Sequence, residues 1–158
     1  MTRVFKQVRC WILVQLTHNV ALPLLRLVRR PSMFPYTMEQ LHQFPEETLG
    51  QDLYTFLKDR NLQLLQHYAR HDLKHIVLGY DTTEAGEACL QCFMLGNGRI
   101  SFPVLATVIF SVVTMPEYWK AMLKAYRQGR ASTPIHNWKW SAILHENTES
   151  LRKRIFNN

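Results

Sequence analysis

Two histidines, an aspartate and a glutamate stand in one short stretch of the chain, HDLKHIVLGYDTTEAGE at residues 71–87. The four residues are His71, Asp72, His75 and Glu87. On a helix, residues four apart share a face, so the two imidazoles would point to the same side, and Asp72 can reach that side too. Imidazole and carboxylate groups are ligands that zinc, iron and manganese accept in proteins. The spacing therefore indicates a divalent-metal site.

The position of Glu87 depends on where the chain reverses. If it turns near Tyr80 and Asp81, His75 lies about five residues before the turn and Glu87 about six after it. At about 1.5 Å per helical residue, both would sit roughly 8 Å from the turn, at one level of an antiparallel pair. Gly86 would let the two helices approach closely or leave room for a ligand. The alternative is that all four residues are ordinary polar groups on helix surfaces.

The elements that must position these residues are helical. Apolar residues recur at helical spacing through most of the chain, and no alternating strand pattern occurs. We expect one short helix within 31–45 and further helices from 46, from Asn61 to Gly79, from 84 to 95, from 102 to 115, after 116, and from 144 to 156. Asp81 and Glu84 should cap the helix that carries Glu87. The prediction is an all-α, single, mostly helical domain of about seven helices, with the metal site in a helical hairpin.

The N-terminal residues differ from this domain in charge. Residues 1–38 contain six basic residues and no acidic one, and they contribute +6 of the formal net charge of +7. We divide the chain into an N-terminal arm or helix, 1–30, and a helical domain, 31–158. The arm's apolar stretch, Cys10–Val28, suits packing on an anionic membrane surface or on its own domain better than spanning a bilayer, because polar residues and a proline interrupt it. Whether it is an anchor, a core helix or a targeting peptide stays open. A nucleic-acid binder would more often carry its basic surface on the folded body, so no nucleic acid is expected as a partner.

Two further features bear on compartment and core. The three cysteines, Cys10, Cys89 and Cys92, are an odd number without a disulfide framework, so an intracellular, reducing compartment is expected. No second pair completes a zinc site with Cys89 and Cys92, and we expect both thiols to be structural. The second apolar stretch, Phe102–Met115, has only fourteen residues, which favours a buried core helix.

The pattern H-D-x-x-H, eleven residues, then E resembles the signature of the coenzyme Q biosynthesis protein four family. Thr48-Leu49-Gly50 followed by Phe56-Leu57 is similar to another family segment, and the run from Gly79 through Gly86-Glu87 is similar to a third. The resemblance covers roughly residues 45–155. Two departures stand out: Tyr80-Asp81 replaces the proline-containing turn, and Asn137-Trp138-Lys139-Trp140 keeps aromatic residues but lacks the acidic one.

The resemblance implies a membrane-peripheral protein of ubiquinone biosynthesis. It implies a divalent metal, zinc first, with iron or manganese as alternatives, held by His71, Asp72, His75 and Glu87. The implied activity is oxidative decarboxylation at C1 of a polyprenylated hydroxybenzoate, and no catalytic residue is assigned. Binding of prenylated precursors would accompany or replace this activity. The helix from 102 to 115 could line the groove that binds them. The implied partners are a polyprenylated aromatic or isoprenoid lipid, a membrane surface and other quinone-biosynthesis proteins, and a homo-oligomer is compatible. The location would be the bacterial cytoplasmic face or the matrix face of the mitochondrial inner membrane.

Two other functions compete with this one. The first is a non-catalytic, lipid-binding scaffold that organises quinone-biosynthesis enzymes and whose metal only staples the hairpin. The second is a metal phosphohydrolase of the HD type, since His71-Asp72 is also its central dipeptide. That class needs an earlier histidine, which His42 or His67 could provide, and a distant aspartate, whereas no aspartate follows Asp81.

Overall fold

The computed structural model describes residues 33–156, which contain seven α-helices and no strand. The helices are α1 (Met38–His42), α2 (Leu49–Asp59), α3 (Ala69–Leu78), α4 (Glu84–Gly96), α5 (Phe102–Thr114), α6 (Trp119–Ala131) and α7 (Thr148–Phe156). Short 3-10 turns at Pro116–Tyr118 and Trp140–Ala142 precede α6 and α7. The all-α prediction is confirmed. The predicted arm, 1–30, lies outside the described residues.

Helices α4 and α6 form the centre of the fold, and two glycines let them touch. A Cβ on Gly96 would strike the carbonyl oxygen of Tyr126, and one on Gly129 would strike that of Phe93. The buried Asn97 side chain connects the end of α4 to the end of α6 and the residues after it. Its amide NH2 donates to the carbonyl oxygens of Gly129, Ser132 and Thr133. Its amide oxygen accepts from the backbone N–H of Ile135. Asn97, the C-cap residue of α4, therefore also joins the end of α4 to the chain at and after the end of α6.

Helix α3 is shorter than its sequence pattern predicts. The pattern starts a helix at Asn61, but the helix begins at Ala69, and Leu62 and Leu65 on the predicted apolar stripe are exposed. Asn61 adopts a positive φ of 51°, which ends the preceding helix and redirects the chain. The carbonyl of Gln66 then accepts a backbone hydrogen bond from Phe34. The predicted end at Gly79 is confirmed, because this glycine takes the left-handed C-cap conformation with a φ of 74°.

Helix α4 begins with a different cap from the predicted one. Thr83 is the N-cap, and its hydroxyl accepts from the backbone N–H of Gly86. Asp81, predicted to cap the helix itself, instead accepts from the backbone N–H and the hydroxyl of Thr83. The absence of a side chain at Gly86 leaves room for the backbone and carboxylate of Asp81, not for a second helix or a ligand as the sequence suggested. The glycine thereby lets the α3–α4 connection fold tightly.

Helix α5 contradicts the prediction of a buried core helix. Of its thirteen residues only Val104 and Ser111 are buried, while Phe102, Ile109 and Val113 are 66%, 63% and 73% exposed. Among the described residues, no single helix is long and apolar enough to cross a membrane. The pair Phe102–Thr114 and Pro116–Ala131 meets the length and composition criterion together, but it is bent by 102°.

Helix α7 starts at Thr148 and not at Leu144 as predicted. The carbonyl oxygens of Leu144 and Glu146 accept hydrogen bonds from the backbone N–H groups of Gly50 and Leu49, at the start of α2. The loop before α7 thus accepts hydrogen bonds from the N-terminal N–H groups of α2. These hydrogen bonds keep the loop from adopting a helical conformation.

Candidate metal centre

Three of the four predicted ligands come together between α3 and α4. Atoms of His71, His75 and Glu87 that could bind a metal all lie within 4.8 Å of one another. His71 Nε2 is 2.8 Å from Glu87 Oε1, and His75 Nε2 is 3.4 Å from Glu87 Oε2. The four-residue spacing on α3 and the level of Glu87 on α4 thus produce the convergence that the sequence predicted.

The tautomer of His75 is set by its neighbour. Its Nδ1 lies 3.0 Å from the backbone carbonyl oxygen of Tyr80. A carbonyl oxygen only accepts, so Nδ1 carries the hydrogen and donates it, and in the neutral ring Nε2 is left with a lone pair. A ligating histidine in proteins is commonly held in this way by its second nitrogen.

The same arrangement leaves Glu87 Oε2 in need of a cation. This oxygen is buried, and among the described residues no group donates a hydrogen bond to it. Its nearest neighbour, His75 Nε2, is also an acceptor when His75 is neutral. Two acceptors facing each other at 3.4 Å repel unless a positive charge lies between them. The residues present therefore fit a bound divalent cation.

Asp72, the fourth predicted ligand, is placed differently. Its Oδ1 lies 3.8 Å from His71 Nδ1, the ring nitrogen that does not contact Glu87, and Asp72 is outside the group of converging atoms. In this position its carboxylate is directed at the back of the His71 ring. The residue types and their spacing alone do not distinguish a metal ligand from a carboxylate that contacts a ligand from behind. Gln91, one turn after Glu87 on α4, was missed by the sequence analysis, although its amide nitrogen lies 3.5 Å from His71 Nε2.

In the metal-free protein, His71 and Glu87 form an ion pair. Burial opposes protonation of His71, but the neighbouring carboxylates of Asp72 and Glu87 outweigh burial and raise the pKa of His71 to about 9. Burial likewise opposes ionisation of Glu87, but its contact with His71 and the nearby ring of His75 lower the pKa of Glu87 to about 2. A metal that binds here must therefore displace a proton from His71.

The site is open on one side. The His75 side chain is only 1% exposed, whereas those of His71 and Glu87 are 27% and 38% exposed. Structural metal sites are closed by protein ligands, and catalytic sites keep a position for water or substrate. His71 and Glu87 therefore form the side of the site that solvent can reach, and His75 forms the closed side.

Groups from other helices hold α3 in place. Arg152 of α7 donates from Nη2 to the carbonyl oxygen of Ile76 at 2.8 Å and from Nε to that of Val77 at 3.3 Å. These carbonyls belong to the last turn of α3, where helices leave acceptors unsatisfied. Arg152 thus caps the helix that carries both histidines. From α2, the Phe56 ring stacks near His75 with centroids 6.5 Å apart.

Lys74, also on α3, is a second residue that the sequence analysis missed, because it occupies an unspecified position of the motif. It is only 8% exposed. Burial, followed by the nearby charges of Arg99 and Arg70, lowers the pKa of Lys74 to about 7, and Glu87 counteracts this in part. A buried cation thus stands beside the candidate ligands.

An apolar cavity of about 180 Å³ lies between α4, α5 and α6. Its lining is Cys92, Leu95, Val108, Val112, Trp119, Met122, Leu123 and Tyr126. The Trp119 indole donates to the carbonyl oxygen of Val112 at 2.7 Å and joins α6 to α5 at the edge of the cavity.

Burial raises the pKa of both the Cys89 and Cys92 thiols, as expected for structural cysteines.

The HD-type alternative finds no support in this geometry. The ring of His42 stacks on that of Tyr54 with centroids 4.6 Å apart, and His67 is exposed. Neither belongs to the group of converging ligand atoms found among residues 33–156.

The chain is similar to known proteins in sequence and in fold. Residues 63–156 match the model of the family described as coenzyme Q (ubiquinone) biosynthesis protein Coq4. The fold is similar to the crystal structure of a candidate ubiquinone biosynthesis protein from Nostoc punctiforme, with a TM-score of 0.59 and 25% sequence identity over 78% of this chain and 69% of that chain. No curated protein matches the chain.

Proposed function

The chain belongs to the coenzyme Q (ubiquinone) biosynthesis protein Coq4 family, and from this membership we propose that it catalyses the metal-dependent oxidative decarboxylation of a polyprenylated hydroxybenzoate. A role in ubiquinone biosynthesis follows from the family itself and from its structural neighbour. The observation that carries the proposal is the buried oxygen of Glu87, which faces the lone pair of His75 and needs a cation.

His71, His75 and Glu87 would hold the metal, and Asp72 would either join them or orient His71 from behind. Two imidazoles and a carboxylate suit zinc, iron or manganese. When bound, such a metal supplies a positive charge that polarises a carboxylate or phenolate of the substrate. In the overall reaction the bond between the ring and its carboxyl group breaks and carbon dioxide leaves. A hydroxyl whose oxygen comes from water takes its place, and dioxygen, as the external oxidant, accepts the two electrons and two protons released and becomes hydrogen peroxide.

The protein's own residues prepare this chemistry. The hydrogen bond from His75 to Tyr80 keeps one imidazole nitrogen available as a ligand. The buried side of the site, formed by His75 and the neighbouring Phe56 ring, excludes water from behind the ligands. The partly exposed side, formed by His71 and Glu87, leaves a path for a substrate.

The prenyl chain of the substrate would lie in the apolar cavity beside α5. Glu87 and Leu95 both belong to α4, and their eight-residue separation corresponds to about 12 Å along the helix. A ligand with its polar end at Glu87 and its chain along α4 would therefore reach the cavity. The apolar lining gives such a chain a favourable environment.

A membrane surface is the proposed source of this lipid. The exposed apolar side chains of α5 adjoin α6, whose basic residues Lys120, Lys124, Arg127 and Arg130 are all exposed. Apolar groups beside basic ones suit an interface with anionic lipid. The proposed location is the bacterial cytoplasmic face or the matrix face of the mitochondrial inner membrane, where other quinone-biosynthesis proteins would be partners.

A scaffold is the second candidate, and one observation favours it. All three converging ligands belong to two consecutive helices, α3 and α4, so a metal would cross-link one hairpin whether or not substrate reacts. If the metal is structural, replacement of a ligand should lower thermal stability. No turnover should then be detected in the wild type or in any variant.

The test begins with metal content. Protein purified without affinity-tag nickel is compared with the double variant His71→Ala/His75→Ala, and about one equivalent of metal in the first and none in the second is expected. Carbon dioxide release from a prenylated hydroxybenzoate, labelled at its carboxyl carbon, is then measured with and without oxygen. Release that depends on metal and oxygen supports the enzyme, and metal binding without release leaves the scaffold. Absence of metal from the wild type after incubation with zinc, iron and manganese would refute both.

A further inference from the structure

We propose that Gln91 supplies a further ligand atom, its side-chain oxygen, to the metal centre of His71, His75 and Glu87. This oxygen shifts the preference of the centre toward a hard divalent cation such as Mn²⁺. The proposal rests on the metal centre of the function proposed above, because it needs a bound cation. It depends neither on the substrate nor on the reaction, so metal binding alone tests it.

Gln91 lies on the face of α4 that also carries Glu87. It follows Glu87 by four residues, so the two side chains project from the same side of the helix, about 6 Å apart along its axis. On α3, His71 precedes His75 by the same four residues. Each helix therefore contributes one pair of side chains, and the contact of His71 with Gln91 lies beside that of His75 with Glu87.

The Nε2 atom of His71 is where the two residues of α4 meet. It lies 2.8 Å from Glu87 Oε1 and 3.5 Å from the amide nitrogen of Gln91. Among residues 33–156, this is the only contact at hydrogen-bond distance that the Gln91 amide makes. The amide therefore adjoins a candidate ligand atom and is not committed to another group in the described part of the chain.

The contact between Gln91 and His71 is poor in the metal-free protein. At 2.8 Å from a carboxylate oxygen, His71 Nε2 carries its hydrogen and donates it to Glu87. The amide nitrogen of Gln91 is also only a donor, so two donors face each other. A half-turn about the last side-chain bond exchanges the amide oxygen with the nitrogen and keeps the shape of the side chain. Gln91 can therefore turn its oxygen toward a cation that replaces the His71 hydrogen.

The chemistry of this oxygen decides which metal it favours. Carbonyl oxygens suit hard cations such as Mn²⁺ and Mg²⁺, which take six ligands, whereas zinc is satisfied by four. The three converging groups of the centre include only one that binds through oxygen, Glu87. Gln91 adds a second and is uncharged, so the bound cation keeps its attraction for an anionic substrate.

The experiment measures the affinities for Mn²⁺ and zinc in parallel on protein stripped of metal. Electron paramagnetic resonance counts free Mn²⁺, and competition with a chelator gives the zinc affinity. The variants are Gln91→Leu, which removes the oxygen, and Gln91→Glu, which keeps an oxygen at the same length. Gln63→Leu is the control at an exposed glutamine. Gln91→Ala replaces Gln91→Leu if circular dichroism shows that the latter does not fold.

Gln91→Leu should lose at least about tenfold in affinity for Mn²⁺ and less for zinc, since tenfold is already lost with groups that only support a metal ligand. Gln91→Glu should bind Mn²⁺ at least as tightly as the wild type, and Gln63→Leu should match the wild type for both metals. The ratio of the two affinities is decisive, because a general loosening of the fold weakens both metals alike. A ratio in Gln91→Leu equal to that of the wild type would overturn the proposal.

Failure of the proposed function gives a different pattern. A wild type that binds neither metal refutes the metal centre, and both proposals fail with it. A wild type that binds zinc but no Mn²⁺, or an unchanged ratio in Gln91→Leu, refutes the role of Gln91 alone. If the ratio shifts as expected in a protein that releases no carbon dioxide, Gln91 is a ligand and the scaffold is the remaining function.

Discussion

His75 Nδ1 donates a hydrogen bond of 3.0 Å to the carbonyl oxygen of Tyr80. The acceptor belongs to the turn that joins α3 to α4, so the turn that brings Glu87 to the histidines also fixes the tautomer of one of them. The other histidine is controlled by carboxylates and not by the backbone, since His71 faces Glu87 through Nε2 and Asp72 through Nδ1. The two imidazoles are therefore oriented by different kinds of acceptor.

Metal affinity should rise with pH. The pKa of His71 in the metal-free protein is about 9, raised from 6.5, so below pH 9 a metal must displace its proton. The apparent association constant for zinc should increase by about tenfold for each pH unit up to that value and then level off. Competition with a chelator of known pH dependence provides the measurement. An affinity that is constant across this range would show that His71 is not a ligand.

Replacement of Asp72 should separate a ligand from an orienting group. Asp72→Asn keeps the shape of the side chain and removes its charge. If Asp72 orients His71, zinc affinity should fall by about tenfold to a hundredfold, as for other groups behind a metal ligand. His71→Ala, measured by the same titration, should abolish binding. Equal and complete loss in both variants would identify Asp72 as a fourth ligand.

The residues that the sequence placed well are those whose position follows from helix geometry. His71 and His75 share a face because they lie four apart, and Glu87 reaches them because Gly79 ends α3 and Thr83 starts α4 at matched distances from the turn. Such local rules need no knowledge of the rest of the chain.

The errors come from tertiary structure. The apolar spacing from Asn61 predicts a helix, but a positive φ at that residue and a hydrogen bond from Phe34 give the segment another conformation. The apolar composition of α5 predicts burial, yet nothing in the composition says whether a protein core or another apolar environment covers it. The capping of α3 by Arg152 joins residues about 75 positions apart, which no sequence spacing reveals.

Removal of the Lys74 charge should stabilise the metal-free protein at low pH. The folded pKa of Lys74 is about 7 against an ordinary 10.5. Below pH 7 the lysine is protonated in both states, and its buried charge destabilises the folded one. As pH rises from 7 to 10.5 the folded protein sheds this proton and the unfolded chain does not, so the penalty disappears.

Lys74→Met should therefore unfold at higher denaturant concentration than the wild type near pH 6, by at least about 1 kcal/mol. The difference should shrink as pH approaches 10. In the variant, the contribution of His71 to stability becomes visible, and its pH dependence is opposite. Protonated His71 stabilises the folded protein fully below pH 6.5, and this stabilisation is lost as the pH rises through about 9. Identical stability of the two proteins at pH 6 would contradict the destabilising effect of the buried Lys74 charge.

Loss of the Arg152 cap should loosen the metal helix. Arg152→Met removes the donors to the carbonyl oxygens of Ile76 and Val77, and it should lower the free energy of unfolding by about 1 to 2 kcal/mol. The neighbouring exposed Lys153, changed to Met, is the matched control and should have little effect. Hydrogen exchange should locate the change in the last turn of α3, and exchange that is unaltered there would assign the loss to α7 alone.

Negative charge on the exposed face of α5 should detach the protein from lipid. Ile109 and Val113 are 63% and 73% exposed and one helical turn apart, so both would enter a lipid surface together. Burial of such a side chain stabilises by about 1.5 to 3 kcal/mol, and Ile109→Glu or Val113→Glu should therefore weaken binding to anionic vesicles by about tenfold or more. Ser150→Glu, an equal change of charge on the exposed part of α7, controls for electrostatic repulsion alone and should have a smaller effect. Zinc affinity should be unchanged in all three variants, because α5 contributes no ligand to the metal centre. Vesicle sedimentation gives the partition, and wild-type binding that neither α5 variant weakens would place the lipid-binding surface elsewhere in the chain.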